Sequence, residues 1–94
     1  MTHDIKIMKE FADAVASGDK TFEIRENDRS YQRGDFVVFH VMQKGMAFLL
    51  PMADHPLNGK RYEITYVLSG WGLQDGYVAL GIRPADGGAD DGRD

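Results

Sequence analysis

A run of polar side chains in residues 18–25, Gly-Asp-Lys-Thr-Phe-Glu-Ile-Arg, has the composition of a small polar binding site. If the chain is extended here, alternation places Thr21, Glu23 and Arg25 on one face of a strand. A hydroxyl, a carboxylate and a guanidinium this close together can hold a small polar ligand through directed hydrogen bonds. An ordinary solvated strand face has the same composition, and spacing alone favours that interpretation.

The other face of the same predicted strand, residues 20–25, carries Lys20, Phe22 and Ile24. We predict that Phe22 and Ile24 face the core, because apolar side chains gain most from burial. Lys20 is expected at the end of the strand, where its stem can pack while its ammonium stays in water.

The spacing Gly18-x-Lys20-x-x-Glu23-x-Arg25 resembles the signature of the ASCH superfamily, whose domains have a PUA-like fold. The residues that follow, Asn27-Asp28-Arg29, Tyr31 and Gly34-Asp35, resemble those of a small bacterial and phage subfamily. The resemblance extends from His3 to about Ile82. It implies a small PUA-like β-barrel that binds RNA or a nucleotide-like ligand, and one branch of the superfamily hydrolyses a modified nucleoside.

The resemblance and the residue types together predict a cleft with one stacking aromatic. The floor of this cleft is expected to be Lys20, Glu23 and Arg25, and its rim Asn27, Asp28 and Arg29. Trp71, between Gly70 and Gly72, is a candidate for stacking on an unpaired base. Tyr31 is predicted to anchor its loop onto the core instead. The predicted ligand-binding residues are Lys20, Thr21, Glu23, Arg25, Asn27, Asp28, Arg29 and Trp71.

A hydrolase acting on a modified nucleoside or on RNA is the alternative function. Lys20 and Glu23 are then the catalytic candidates, as an acid–base pair. However, the deacetylating relatives place a threonine where Glu23 stands here, and they draw a carboxylate from an insertion that this chain lacks. The sequence therefore favours binding over catalysis. A third possibility is a protein-interaction module without a nucleic-acid ligand.

Hydrophobic periodicity predicts one helix and several short strands. Residues 3–7 alternate as a strand, and residues 8–17 have the spacing of an amphipathic helix that ends at Gly18. Further strands are expected at 36–42, 46–50, 60–68 and 77–83, with Tyr62, Ile64, Tyr66 and Leu68 on one face of the strand at 60–68. This pattern indicates an α+β domain built on a small mixed β-barrel.

The net charge of −4 is concentrated at the C-terminus. Residues 84–94 carry −3 and are expected to form a disordered acidic tail, which leaves −1 for the domain of residues 1–83. A near-neutral domain cannot bind nucleic acid mainly by counterion release, so any contact must involve few phosphates.

Other functional classes lack support in the sequence. There is no cysteine, and His3, His40 and His55 are too far apart to suggest a metal site, so we expect no metal or cofactor. His40 is predicted to be partly buried within its strand. The absence of a long apolar stretch or a signal pattern favours a cytoplasmic protein without a membrane partner. The oligomeric state stays open.

Overall fold

Residues 1–85, which the computed structural model describes, form one helix and six strands along a single mixed sheet. In chain order these are β1 (Thr2–Met8), α1 (Lys9–Ser17), β2 (Phe22–Glu26), β3 (Phe36–Lys44), β4 (Leu49–Pro51), β5 (Arg61–Ser69) and β6 (Tyr77–Pro84). Pro84, which the sequence analysis assigned to the tail, is thus the last residue of β6. The rest of the predicted tail, from residue 86, lies outside the described residues.

The strand order is β1-β3-β5-β6-β2, with β4 pairing the far end of β3. β1 runs parallel to β3, and the other neighbours are antiparallel. The parallel pair needs a long crossover, which α1, β2 and the following loop provide. This topology makes β1 and β2 the two end strands of the sheet.

The predicted β-barrel is wrong in one respect, because the sheet does not close. β1 and β2 share no strand pairing, and no strand within residues 1–85 pairs with the outer edge of either. The link between them is made by side chains: Arg25 and Arg29 donate hydrogen bonds to main-chain carbonyls of β1. The α+β class and the single helix are as predicted.

The hydrophobic core lies along the middle strands of the sheet. Phe39 is fully buried at the centre of β3 and meets Tyr62 edge to face. Val78, Leu80 and Ile82 of β6 are buried on the face that alternation predicts. Tyr31 is also buried in this core, which confirms its predicted role as the anchor of its loop.

α1 is short, and it packs through one narrow stripe. Ala12 and Val15, three positions apart, are its buried residues, whereas Phe11 at the edge of the stripe is half exposed. The helix ends at Gly18, whose left-handed φ of 88° allows its N–H to donate to the carbonyl of Val15. This cap turns the chain directly towards β2.

The irregular segment between β4 and β5 is held to the rest of the fold by two polar side chains. His55 is buried, and its Nε2 lies 2.7 Å from Asp13 Oδ1 on α1. Its Nδ1 accepts from the Leu57 N–H, so Nε2 carries the proton and donates to the carboxylate. Asn58 accepts from the N–H of Val41 on β3. Sequence reasoning missed both contacts, since they join residues far apart in the chain.

A β-bulge at Thr65 overturns the predicted alternation of β5. The pairing with β6 is shifted by one residue between Ile64 and Tyr66. An extra residue reverses the face that later side chains occupy. Tyr66 is therefore exposed instead of sharing the buried face of Ile64, and Val67 packs against the core.

Two histidines, on β1 and β3, lie within hydrogen-bond distance of aspartates in different surroundings. His3 is buried, with its Nε2 2.9 Å from Asp35 Oδ2. His40 is not partly buried as predicted. Its side chain is exposed because it lies on the outer face of β3, where Nε2 is 2.9 Å from Asp4 Oδ1.

The Asp35 carboxylate gives this end of the sheet a pH-dependent stability. The hydrogen bond from His3, with help from the Gln32 N–H and the N-terminal ammonium, lowers the pKa of Asp35 below its ordinary value. A lowered folded-state pKa stabilises the fold above the unfolded-state value, near pH 4, and this stability is lost as pH falls through the folded-state value.

We therefore expect Asp35→Asn to reduce the free energy of unfolding at pH 5, and the difference from the wild type to shrink towards pH 2. Urea titrations at several pH values measure it. Asp54→Asn, which changes an exposed carboxylate, is the control and should show no such convergence. A constant difference across this range would mean that the hydrogen bonds of Asp35 do not depend on its charge.

Candidate functional site

β2 is turned over relative to the predicted orientation. Glu23 is buried, with 5% of its surface exposed, whereas Phe22 and Ile24 are 45% and 51% exposed. The expectation that Phe22 and Ile24 face the core is therefore wrong. Alternation shows only which side chains share a face of the strand. The inner face was chosen because its side chains are more hydrophobic, whereas in the structure the polar face points inward.

The buried carboxylate of Glu23 is stabilised by two cations. Lys20 Nζ donates to Glu23 Oε1, and Arg25 Nη1 lies 3.2 Å from Glu23 Oε2. Each carboxylate oxygen thus has its own positively charged donor. Burial of a carboxylate costs several kcal/mol unless such partners offset it, which explains how the polar face can point inward.

Lys20 does not continue the strand as predicted, since β2 begins at Phe22. Its ammonium turns back and donates to the carbonyl of Phe22 at 2.7 Å. It also lies 4.9 Å from the ring centre of Phe22 and 5.4 Å from that of Phe11. The cation is therefore held by a carboxylate, a carbonyl and two aromatic faces.

Arg25 joins the two free edges of the sheet. Its Nη1 donates to the carbonyl of Lys6 on β1 at 2.8 Å while also contacting Glu23. Arg29 makes a similar contact nearby, with Nη1 2.7 Å from the carbonyl of Asp4. These contacts occupy edge carbonyls that a neighbouring strand would otherwise pair.

A pocket of about 410 Å³ lies in the gap between β1 and β2. This volume falls in the range of small-molecule sites. Its floor includes Glu23 with its two cations, and most of the remaining lining is apolar. The lining residues are Lys6, Ile7 and Met8 of β1, Phe11 of α1, Lys20, and Phe22, Glu23, Ile24 and Arg25 of β2.

Part of the Arg25 guanidinium is available to a ligand. Both contacts of Arg25 are made by Nη1, and within residues 1–85 its Nε and Nη2 have no hydrogen-bond partner. One quarter of the side chain is exposed, and it lines the pocket. Nε–H and Nη2–H lie parallel on one edge of the guanidinium, which is the geometry that two adjacent acceptor atoms require.

The structure brings together Lys20, Glu23 and Arg25 from the predicted ligand-binding set. Thr21 is exposed outside the pocket, and its carbonyl pairs with the Ile82 N–H. The predicted rim also lies elsewhere. Asn27 accepts from the Tyr31 N–H and shapes the turn, while Asp28 and Arg29 do not line the pocket.

Trp71 is not part of this pocket either. It lies at the tip of the β5–β6 connection, 90% exposed and with a left-handed φ of 54°. A bulky residue at such a φ is strained, and here glycines on both sides allow the turn. A stacking role for Trp71 would need a ligand that extends beyond the gap.

Sequence reasoning missed the apolar part of the pocket. Ile7, Met8 and Phe11 have the spacing of ordinary core residues, and nothing in the sequence shows that β1 and β2 face each other across a gap. Phe22 and Ile24 were assigned to the core. One feature of the sequence is compatible with the exposure of Phe22 and Ile24. The carboxylate of Glu23 has a cation close by on each side in sequence, Lys20 and Arg25, and can therefore be buried instead.

The described residues suggest neither a metal site nor a membrane span. Across residues 1–85, no cluster of three or more His, Cys, Asp or Glu side chains has a metal-binding arrangement. In the same range, no helix has the length and hydropathy that crossing a bilayer demands.

Residues 2–82 match the family described as "Domain of unknown function (DUF3850)", which covers β1 through most of β6. The chain belongs to this family. The match includes every residue of the pocket, so the DUF3850 domain contains the whole candidate site.

Two further similarities concern individual proteins. A segment of 44 residues is 36% identical to the "Uncharacterized 12.9 kDa protein in GpA 3'region" of Escherichia phage P2. It represents 47% of this chain and 40% of the phage protein, so the match spans less than half of either. The crystal structure of the hypothetical protein PH0355 superposes with a TM-score of 0.54, covering 89% of this chain and 99% of that chain at 16% identity. At this identity the second similarity concerns the fold alone.

Proposed function

We propose that this DUF3850 domain binds an RNA or nucleotide-like ligand in the pocket between β1 and β2, as a small PUA-like, ASCH-type binding protein. The observation that supports this most is the combination of a buried Glu23, two fixed cations and a mostly apolar pocket. The resemblance of Gly18-x-Lys20-x-x-Glu23-x-Arg25 to the ASCH signature supports it independently.

The two parts of the pocket match the two parts of such a ligand. The rings of Phe11 and Phe22, each about half exposed, offer apolar surface to a base. Beside them, the Nε–H and Nη2–H groups of Arg25, which have no partner within residues 1–85, offer directed donors to a phosphate or a base edge. A purely apolar ligand would leave these donors without partners, and a bare anion would leave the aromatic surface uncovered.

The charge of the domain favours a compact ligand over a long polynucleotide. Residues 1–83 carry a net charge of −1, so a long phosphate backbone gains little from the protein as a whole. Binding by this site depends on a few directed contacts, and its affinity should vary little with salt.

Binding is better supported than hydrolysis by the contacts of the two catalytic candidates. Lys20 and Glu23 are paired with each other, and each has a further polar partner. An acid–base pair needs a group that can reach a reacting atom. The hydroxyl of Thr21, which follows Lys20 in the sequence, does not line the pocket.

Phe22→Ala is expected to weaken the binding of mononucleotides or short single-stranded RNA by about tenfold or more. Loss of one aromatic stacking surface costs about 1–3 kcal/mol per base. Isothermal titration calorimetry of the wild type and the variant with mononucleotides and a short RNA measures the effect.

Phe48→Ala is the matched control, since Phe48 is an exposed phenylalanine that does not line this pocket. It should leave affinity unchanged. If the wild type binds none of these ligands, or if both variants lose affinity equally, the pocket is not a nucleotide site.

A second function, protein interaction, is favoured by one observation. The β3–β4 hairpin exposes four large apolar side chains near one another in sequence: Met46, Phe48, Leu49 and Leu50. Concentrations of exposed apolar residues mark interaction surfaces. This alternative becomes the leading one if the wild type fails to bind nucleotides and RNA.

A further inference from the structure

Resting on the proposed function, we infer that the ligand is recognised through a base with two adjacent hydrogen-bond acceptors, as in guanine or cytosine, and that Arg25 reads this pair. Arg25 lines the pocket among its apolar residues, and within residues 1–85 its Nε and Nη2 have no hydrogen-bond partner. The phosphate of a nucleotide then contributes little to affinity.

The hydrogen bonds of Arg25 determine which of its edges remains. Nη1 carries two hydrogens, and these are directed to the Lys6 carbonyl and to Glu23 Oε2. The guanidinium plane is therefore fixed from two sides before any ligand arrives. Its remaining parallel donors, Nε–H and Nη2–H, select a ligand with two acceptors side by side.

Neutral acceptors fit this position better than a phosphate. The Glu23 carboxylate lies 3.2 Å from Nη1, so it would repel a full negative charge placed on the adjacent donors. It also neutralises one of the two site cations, and the ammonium of Lys20 is already held by Glu23 and the Phe22 carbonyl. A base edge gains the same two hydrogen bonds without this repulsion.

The free edge of β2 offers further partners to a planar ring. The Thr21 carbonyl accepts from Ile82, and the Asn27 N–H donates to Gly76, so odd-numbered residues direct their main chain towards β6. The N–H and C=O of Ile24 then point the other way, towards the gap, where none of the described strands of residues 1–85 pairs with β2. Ile24 lines the pocket, and its main chain supplies a donor and an acceptor to a ring lying in the gap.

The four bases differ in whether they present two adjacent hydrogen-bond acceptors to Arg25. Guanine presents O6 and N7 as adjacent acceptors, and cytosine presents O2 and N3. Adenine pairs its N7 acceptor with an amino donor, and the N3 of uracil carries a hydrogen between two acceptors, so neither satisfies both N–H groups of Arg25. We expect guanosine and cytidine to bind about tenfold more tightly than adenosine and uridine.

Deaza analogues test the acceptor pair directly. 7-Deazaguanosine and 3-deazacytidine each replace one acceptor nitrogen by C–H and keep the shape of the ring. By calorimetry, each should bind the wild type about tenfold more weakly than its parent nucleoside. In Arg25→Lys, where the two-pronged donor is absent, the parent and its analogue should bind within about threefold of each other.

Arg29→Lys is the matched control, because Arg29 also donates across the gap but lies outside the pocket. It should keep the full sensitivity to the deaza substitution. Equal binding of all four nucleosides, or binding that requires a phosphate regardless of the base, would overturn the base-edge inference and leave the proposed nucleotide site standing. Absence of binding by nucleosides, mononucleotides and short RNA alike would overturn both.

Discussion

Glu23→Ala is expected to lower the free energy of unfolding by about 2–3 kcal/mol. The substitution leaves Lys20 and Arg25 close together without the carboxylate that each of them contacts. Removal of one partner from a buried ion pair typically costs about 3–5 kcal/mol. The lower value applies here because the two cations are partly exposed and water can solvate them. Urea denaturation at neutral pH measures the change.

Two further variants separate the effect of charge from the effect of shape and exposure. Glu23→Gln keeps the volume and one acceptor oxygen, so it should lose about half as much stability as the alanine variant. Glu63→Ala removes a carboxylate from the pair with Arg83, which is largely exposed, and should cost less than about 1 kcal/mol. If Glu23→Ala were no more destabilising than Glu63→Ala, the buried pairs would not be what keeps the polar face of β2 inward.

The elements of this fold are largely predictable from periodicity, whereas the site is only partly so. The alternation of Val78, Leu80 and Ile82 and the helical spacing around Ala12 and Val15 agree with the structure, because one face of each element is buried. These predictions need only neighbours along the chain. The β-bulge at Thr65 makes the same kind of prediction fail for β5, because one extra residue moves Tyr66 to the solvent-exposed face. The neighbouring sequence gives no sign of this bulge.

The site escapes prediction for a related reason. Its charged floor was found from the spacing of Lys20, Glu23 and Arg25, but its walls come from β1 and α1. These elements face β2 only because the sheet stays open between its two end strands. A pattern that indicates a barrel does not reveal whether the last pair of strands closes, since closure depends on side chains such as Arg25 that occupy edge carbonyls.

The same ion pairs give the pocket its shape and its chemistry. A carboxylate held from both sides fixes Lys20 over two aromatic rings and fixes the plane of Arg25. Because these long side chains are already ordered in the free protein, less side-chain conformational entropy is lost when a ligand binds. The ion pairs of Glu23 can therefore stabilise the fold and position the ligand-binding groups at the same time. A suitable substitution changes ligand affinity more than it changes the free energy of unfolding.

Arg25→Lys is expected to weaken the binding of a mononucleotide or short RNA by about tenfold or more, with a loss of stability of only about 1 kcal/mol. An ammonium can replace one of the Nη1 contacts and keeps the charge, so the fold retains part of the link between β2 and β1. It cannot present two parallel donors to a ligand. Each charge-assisted hydrogen bond lost costs about 1.5–3 kcal/mol, which sets the expected change in affinity.

The affinity of the wild type should also vary little between low and moderate salt, as expected for a ligand that neutralises one or two phosphates at most. Calorimetric titrations at two salt concentrations, together with thermal melts, test both statements on the same samples. Arg29→Lys provides the comparison, because it loses a similar contact to β1 outside the pocket and should melt lower by a similar amount while binding normally. If Arg25→Lys and Arg29→Lys proved equally stable and equally able to bind, Arg25 would serve only to hold the sheet edges together, and the pocket would need a different recognition group.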